Sequence, residues 1–369
     1  MRTRLLILAA VTTASLSAGV AVAQAGTLSI HVLSDRADAI SGGDALVSVS
    51  IPHGIPPSSV TVSLGSTDVT SDFAQRPNGS YEGLVSGLAV GSNALSAQAP
   101  GATSGQATIT NHAIGGPVFS GPQVQPWVCK NAGAADEKCD APTTYEYKYK
   151  SAATGQLQPY NPQSPPSPSE VATVTTDNGT TVPYIVRIET GYQDRDQYQI
   201  AVLFQPGKAW EPWAPQPQFD HKLLITHGAS CGIEHESGSA PSVLDETALA
   251  KGFAVMSTAL DNAGHNCNIV TQAESLVMAK EHLIEEYGTL RYTIGTGCSG
   301  GSLTQQQVAN AYPGIYQGIL PQCSFQDAWS NGQEISDYHL TRAYFEHPEK
   351  WGTGIAWTPT QIAAIEGHP

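Results

Sequence analysis

The sequence predicts an α/β fold with a mostly parallel sheet, preceded by a small all-β sandwich. Three observations lead there. Short period-two apolar runs fill the first part of the chain, strands alternate with helix-period segments after residue 181, and a glycine-flanked serine sits where a strand meets a helix. A length of 369 residues gives room for two or three domains, and 40% apolar residues can furnish their cores. Charged residues make up only 13%, about half the globular average, which with abundant Gly and Pro marks a turn-rich chain. Disorder throughout is excluded, because it requires more charge and fewer apolar residues. The formal net charge of −15 argues against nucleic acid or an anionic membrane as partner, since both need a basic footprint.

Residues 1–25 read as a secretory signal peptide. Arg2 and Arg4 supply the positive start, residues 5–16 the apolar stretch, and Ala21-Val22-Ala23 the small-residue cleavage site. Hydroxyl and small residues dilute the run after Val11, so it is poor as a membrane span, and no later segment is apolar enough to be one. No membrane partner is therefore expected after cleavage, and the mature chain is expected outside the cytoplasm, extracellular or periplasmic. Export permits disulfides, and the six cysteines Cys129, Cys139, Cys231, Cys267, Cys298 and Cys323 leave fifteen pairings open. Cys129 and Cys139, flanking one polar loop, are the first pair expected. No close CxxC pair occurs, and His227 and His235 with Glu234 and Glu236 lack the spacing of a known metal site, so no metal or cofactor is expected.

Residues 26–111 carry period-two apolar spacing at 27–32, 45–51, 60–64 and 107–110, punctuated by Pro52, Gly54, Gly65 and Asn78-Gly79. Strands at such intervals predict the sandwich. With no exposed aromatic cluster visible in it, a structural spacer is the expected role over carbohydrate or surface binding. Residues 112–180 show little periodicity and read as a Pro/Gly-rich connecting region, stiffest at Pro159–Pro168. Residues 181–369 form the α/β domain. Strands are predicted at 184–188, 198–204 and 222–226, then a helix at 243–251 and a strand at 253–257. A helix at 271–287, a strand at 290–294, a helix at 302–311 and a strand at 316–320 follow.

G-x-S-x-G occurs twice, at Gly228–Gly232 around Ser230 and at Gly297–Gly301 around Ser299. The pattern is weak until its context is read. A nucleophile elbow lifts a serine above the sheet on a tight strand-to-helix turn, the arrangement of the α/β-hydrolase fold. Ser299 has that context, with a strand before it, a helical run after it, and glycines at 295, 297, 300 and 301. Ser230 has no helix behind it, but His227-Gly228 directly follows a strand, the position that supplies oxyanion-hole N–H groups. The assignment is thus Ser299 as nucleophile, with oxyanion donors from Gly228, Ala229 or Ser230 and from Gly300.

Gly297-Cys298-Ser299-Gly300-Gly301 resembles the tannase and feruloyl-esterase family, whose nucleophile also follows a cysteine. The wider context is more similar still to an uncharacterised family of secreted bacterial α/β-hydrolase-like proteins, a domain of unknown function. Ile109 through Pro122, Tyr184 through Gly191, and Gly297 through Asp327 with Tyr312-Pro313-Gly314 carry that likeness. It implies an esterase acting on a small-molecule or polymeric ester, with acyl transfer and a non-catalytic binding protein as neighbouring readings. In the tannases the cysteine before the serine bonds to one beside the catalytic histidine. No His-Cys pair exists here, and that arrangement does not carry over; Cys298 is expected to pair with Cys323 instead, because both would lie at the C-terminal ends of adjacent strands.

A serine nucleophile needs a base and an orienting acid. Asp327, shortly after the strand at 316–320, is the candidate acid, with a solvated helix cap as its other reading. His339 is the candidate base, although it lies in a helical run. His347 precedes a proline, and His368 is penultimate. The usual base sits on a loop after a last strand that is not visible here. The expectation is therefore an N-terminal part of a longer hydrolase, the α/β domain incomplete at its C-terminus and the catalytic His absent from this chain. Asp261 and His265, after the strand at 253–257, are expected either to line the cleft or to satisfy each other in a loop.

Overall fold

The computed structural model of the protein describes residues 26–130, 139–325 and 327–367. The signal peptide expected over residues 1–25 lies outside the described residues, as does His368. Nine strands come first: Ser29–Val32 (β1), Ile40–Ser41 (β2), Asp44–Ser50 (β3), Thr61–Leu64 (β4), Thr67–Asp68 (β5), Ala74–Gln75 (β6), Tyr81–Ser86 (β7), Gly91–Gln98 (β8) and Gly105–His112 (β9). They form two sheets, ordered β1-β3-β7-β6 and β2-β9-β8-β4-β5, which close on one apolar cluster including Val47, Val62, Val85, Leu95 and Ile109. Alternation explains the arrangement. In β8, Asn93, Leu95 and Ala97 are buried while Ser92, Ala94 and Gln98 face solvent.

The later strands are Thr144–Lys150 (β10), Leu157–Pro159 (β11), Thr173–Thr175 (β12), Thr181–Pro183 (β13), Ile185–Gln193 (β14) and Asp196–Leu203 (β15). Lys222–Thr226 (β16), Phe253–Thr258 (β17), Tyr292–Cys298 (β18) and Gly318–Gln322 (β19) complete them. β12 and β13 pair with each other, and the other eight build one sheet in the order β11-β10-β14-β15-β17-β16-β18-β19.

That sheet corrects two expectations. It is mixed rather than mostly parallel: β17, β16, β18 and β19 run parallel, while β11, β10, β14 and β15 pair antiparallel and β15 meets β17 antiparallel. The cause is a two-residue turn between β14 and β15. Asp194 and Arg195 both hold left-handed backbone, φ 48° and 62°, and so tight a connection joins only antiparallel neighbours. Moreover, β10 falls inside the stretch expected to be a connecting region, and it hydrogen-bonds to β14 along its length.

The α-helices among the described residues are Glu246–Ala250 (α1), Ile269–Tyr287 (α2), Gly300–Ala311 (α3), Ala328–Phe345 (α4) and Pro359–Glu366 (α5). One face of the large sheet packs Ile200, Leu223, Ile225 and Met256 against Leu276, Ala279 and Leu283 of α2 and Val308 of α3. The opposite face packs Val186, Leu203 and Val255 against Ala248 and Leu249 of α1. Each large aliphatic side chain fully buried this way contributes about 1.5–3 kcal/mol. α2 starts at Asn268, whose side chain accepts from the Val270 and Thr271 N–H groups, and stops at Gly288, where φ is 105°. The same helix meets the two-sheet unit, where the Ser41 N–H and hydroxyl donate to Glu281 at 2.7 and 2.6 Å. Cys129 and Cys139 are bonded, as the sequence indicated. No helix among the described residues is long and apolar enough to cross a membrane.

Candidate active site

β18 runs straight into α3, and the whole change of direction falls on Ser299, with φ 57° and ψ −119°. A non-glycine residue in that region is strained and is held there only by its surroundings. The Ser299 N–H donates to the Gln322 carbonyl at 3.2 Å, and the Ser302 and Leu303 N–H groups start α3 on the Ser299 carbonyl. The Ser299 hydroxyl makes no capping bond to that helix, which leaves it available for other work. A covalent tie reinforces the turn: Cys298 is bonded to Cys323, just beyond β19, as expected.

Glycines 295 and 297 belong to β18 itself and not to the turn, contrary to expectation. They are needed for approach. A Cβ on Gly297 would lie 2.9 Å from the His227 Cβ, and one on Gly295 would lie 3.1 Å from the Tyr316 ring. Gly300 and Gly301 serve the loop after β16. A Cβ at 300 would collide with the Ser230 carbonyl oxygen, and one at 301 would lie 2.9 Å from that of Gly228. The backbone of Gly228, Ala229 and Ser230 is thus seated on the first turn of α3. Ser230, itself at φ 76°, is part of this supporting loop and has no helix behind it.

That loop is fixed from behind. Cys231 is bonded to Cys267, and the Gly232 N–H donates to the Ala263 carbonyl at 2.8 Å. His265 sits between Glu234, 2.7 Å from Nδ1, and Asp196, 2.9 Å from Nε2. Burial works against the imidazolium there. Hydrogen bonds to both carboxylates, together with their charges, more than offset burial and raise the His265 pKa.

A second group lies directly under the turn, its members far apart along the chain. His227 Nδ1 is 2.6 Å from Asp261 Oδ2 with both side chains wholly buried, and the Tyr316 hydroxyl is 3.1 Å from His227 Nε2. Burial pushes the Asp261 carboxyl above its ordinary pKa, and burial followed by the Asp261 charge raises the Tyr316 phenol. His227 is thus wholly buried between Asp261 and Tyr316, beneath the loop it begins. The available signals are a His-Gly pair ending one strand and an Asp soon after the next. Their meeting with Tyr316 is tertiary.

The expected acid and base do not join this site. Asp327 caps α4, accepting from the Ser330 N–H at 2.7 Å and the Ser330 hydroxyl at 3.0 Å, and these bonds hold its carboxyl below the usual range. This is the cap reading and not the acid reading. His339 lies on the exposed side of α4 with its ring edge against Tyr338, 5.8 Å between centroids. The helix that carries it packs chiefly against α5 and the 348–350 turn. Among the described residues, Ser299 Oγ makes no hydrogen bond to a histidine.

A serine at a left-handed strand-to-helix turn, over the parallel half of a mixed sheet with helices on both faces, defines an α/β-hydrolase-like protein. The chain belongs to the tannase-like family of unknown function (DUF6351), whose model matches residues 30–369. This agrees with the resemblance seen in its motifs. No curated protein matches the chain. Among solved structures it is similar to feruloyl esterase B from Aspergillus oryzae at 14% identity, covering 52% of this chain and 35% of that one, with a TM-score of 0.28. Tannin acyl hydrolase from Aspergillus niger also gives 14% identity, covering 56% of this chain and 36% of that one, with a TM-score of 0.32. The chain therefore spans about a third of the length of either fungal enzyme.

Proposed function

We propose that the protein is a secreted carboxylic-ester hydrolase whose acyl-enzyme forms on Ser299. Ser299 Oγ adds to the ester carbonyl carbon, its proton passing to a base. The carbonyl oxygen becomes an oxyanion, held by the Gly300 N–H and an N–H of the 228–230 loop. The C–O bond to the alcohol then breaks and the leaving oxygen takes that proton back from the base, so the acyl group stays on Oγ. Water gives a proton to the same base as it adds to the acyl carbon, and the base returns it to Oγ as the carboxylic acid departs. The observation that carries this reading is the strained Ser299 backbone, left without a capping role, with the 228–230 loop seated on the helix turn just after it. Membership of a tannase-like family supports ester chemistry, and three disulfides fit export. One observation favours a second reading, a non-catalytic binding protein on a hydrolase scaffold: no histidine hydrogen-bonds to Ser299 Oγ among the described residues.

A fluorophosphonate probe separates the two. The expected result is labelling that disappears in Ser299→Ala and persists in Ser230→Ala. Folded protein that takes up no probe over hours would establish the binding protein and end the hydrolase reading.

A further inference from the structure

Two segments that carry the family likeness, one within Ile109–Pro122 and the other Tyr312-Pro313-Gly314, meet away from Ser299. Val118 and Phe119, from the first, face Tyr312-Pro313-Gly314, from the second, across a cavity of about 770 Å³ between the two-sheet unit, α2 and the C-terminal end of α3. That volume lies within the range of small-molecule sites, about 300–1,000 Å³. We propose that this cleft binds a neutral carbohydrate.

One wall is an aromatic platform. Phe119 and Tyr312 stack with ring centroids 5.5 Å apart and planes 26° apart, and Phe119 keeps 40% of its surface exposed. An exposed phenylalanine is usually free to move, but this one is held. The N–H groups of Val118, Phe119 and Ser120 and the Ser120 hydroxyl all donate to the buried carboxylate of Glu274 on α2, at 2.9, 2.5, 2.6 and 2.7 Å. Four bonds to one charged group fix the turn before any ligand arrives, which removes part of the ordering penalty of binding.

The facing wall is polar and balanced in sign. Arg36 donates to both oxygens of Asp38, at 2.9 and 2.6 Å, from exposed positions in the loop between β1 and β2. Asp35 and Lys280 stand deeper, the Lys280 ammonium donating to the Gly314 and Ile315 carbonyls at 3.3 and 3.1 Å. Two acids and two bases favour neither an anion nor a cation. A purely apolar ligand would strip water from all four without replacing its hydrogen bonds. A pyranose satisfies both walls, its C–H face lying on the rings and its neighbouring hydroxyls both donating and accepting.

The cleft lies at the far end of α3 from Ser299, about 17 Å along the helix axis. It is therefore a holding site and not the acyl site, and it stands whether or not Ser299 turns over. The two-sheet unit is expected from its sequence to be a spacer because no exposed aromatic cluster is visible in it; its stacked Phe73 and Tyr81 are buried in the core. The aromatics come instead from the strap after β9 and the residues after α3.

The test is calorimetric titration of full-chain Ser299→Ala protein with cellohexaose, xylohexaose and mannohexaose. Saturable binding of at least one hexasaccharide is expected. Phe119→Ala should weaken it at least tenfold, and the double variant Arg36→Ala/Asp38→Ala, with both sites exposed and no fold at stake, at least fivefold. Heat from none of the three sugars, or binding unchanged in both variants, would overturn the proposal. So would saturable binding at this cleft of ferulic acid alone.

Discussion

Residue 300 has room for a hydrogen and nothing larger, because a Cβ would run into the Ser230 carbonyl oxygen. Gly300→Ala should therefore push the 228–230 loop off the first turn of α3 and misplace the proposed oxyanion donors. Loss of one such donor is worth about 10²–10³ in rate. The expected outcome is a fall of that size in the fluorophosphonate labelling rate, with the serine itself intact. Labelling at the original rate would mean that the loop does not serve the serine. At this scale the sequence was half legible. The elbow could be read because its glycines and flanking elements are neighbours along the chain. The His227, Asp261 and Tyr316 group could not, because Tyr316 lies 89 residues from the histidine it touches. Asp327 and His339 were attractive because they follow the nucleophile, but order along the chain says nothing about where α4 points.

The loop carrying those donors is an element without hydrogen-bonded regularity of its own. It borrows rigidity from the 259–267 segment through the Cys231–Cys267 bond and the His265 contacts. Closing that span of 36 residues removes unfolded-state entropy equivalent to about 3–4 kcal/mol. Cys231→Ser/Cys267→Ser should lower stability by no more than that, read by chemical denaturation. It should also slow labelling at temperatures where the protein is still folded. A stability loss with no change in labelling would make the bond purely structural. The strands show a similar division of legibility. β10 carries a plain period-two signal, Tyr145, Tyr147 and Tyr149 alternating with Glu146, Lys148 and Lys150, which a surrounding of prolines and loops obscures. The β14–β15 hairpin has no such marker, since Asp194-Arg195 replaces the usual Asn-Gly or Asp-Gly.

On the scale of the whole molecule, the two-sheet unit and the α/β core meet over buried carboxyl groups. Glu281 accepts from Ser41, Glu285 faces Glu281 and Asp44, and both glutamates are buried. Burial first, and then acidic neighbours, holds both carboxyls well above the ordinary glutamate range. His282, paired with Glu189, is also raised. A folded-state pKa above the unfolded value means that the folded protein holds the extra proton. The resulting stability is full below the ordinary glutamate pKa and is lost as pH climbs through the folded values. The thermal midpoint should thus decline from pH 5 to pH 9. Glu285→Gln should flatten the decline and raise stability at pH 8 by on the order of 2 kcal/mol. An unchanged pH profile in that variant would place the titration elsewhere. The Cys298–Cys323 bond reaches beyond the residues it joins. β18 and β19 pair with Cys298 opposite Gln322, and a slip of one position would turn Cys323 to the other side of the sheet. Oxidation to this pair is therefore a covalent record that two parallel strands, brought together across an intervening helix, have docked in the one alignment that puts the hydroxyl on top. A molecule with these two strands out of alignment would keep Cys298 and Cys323 as two free thiols, countable with a thiol reagent.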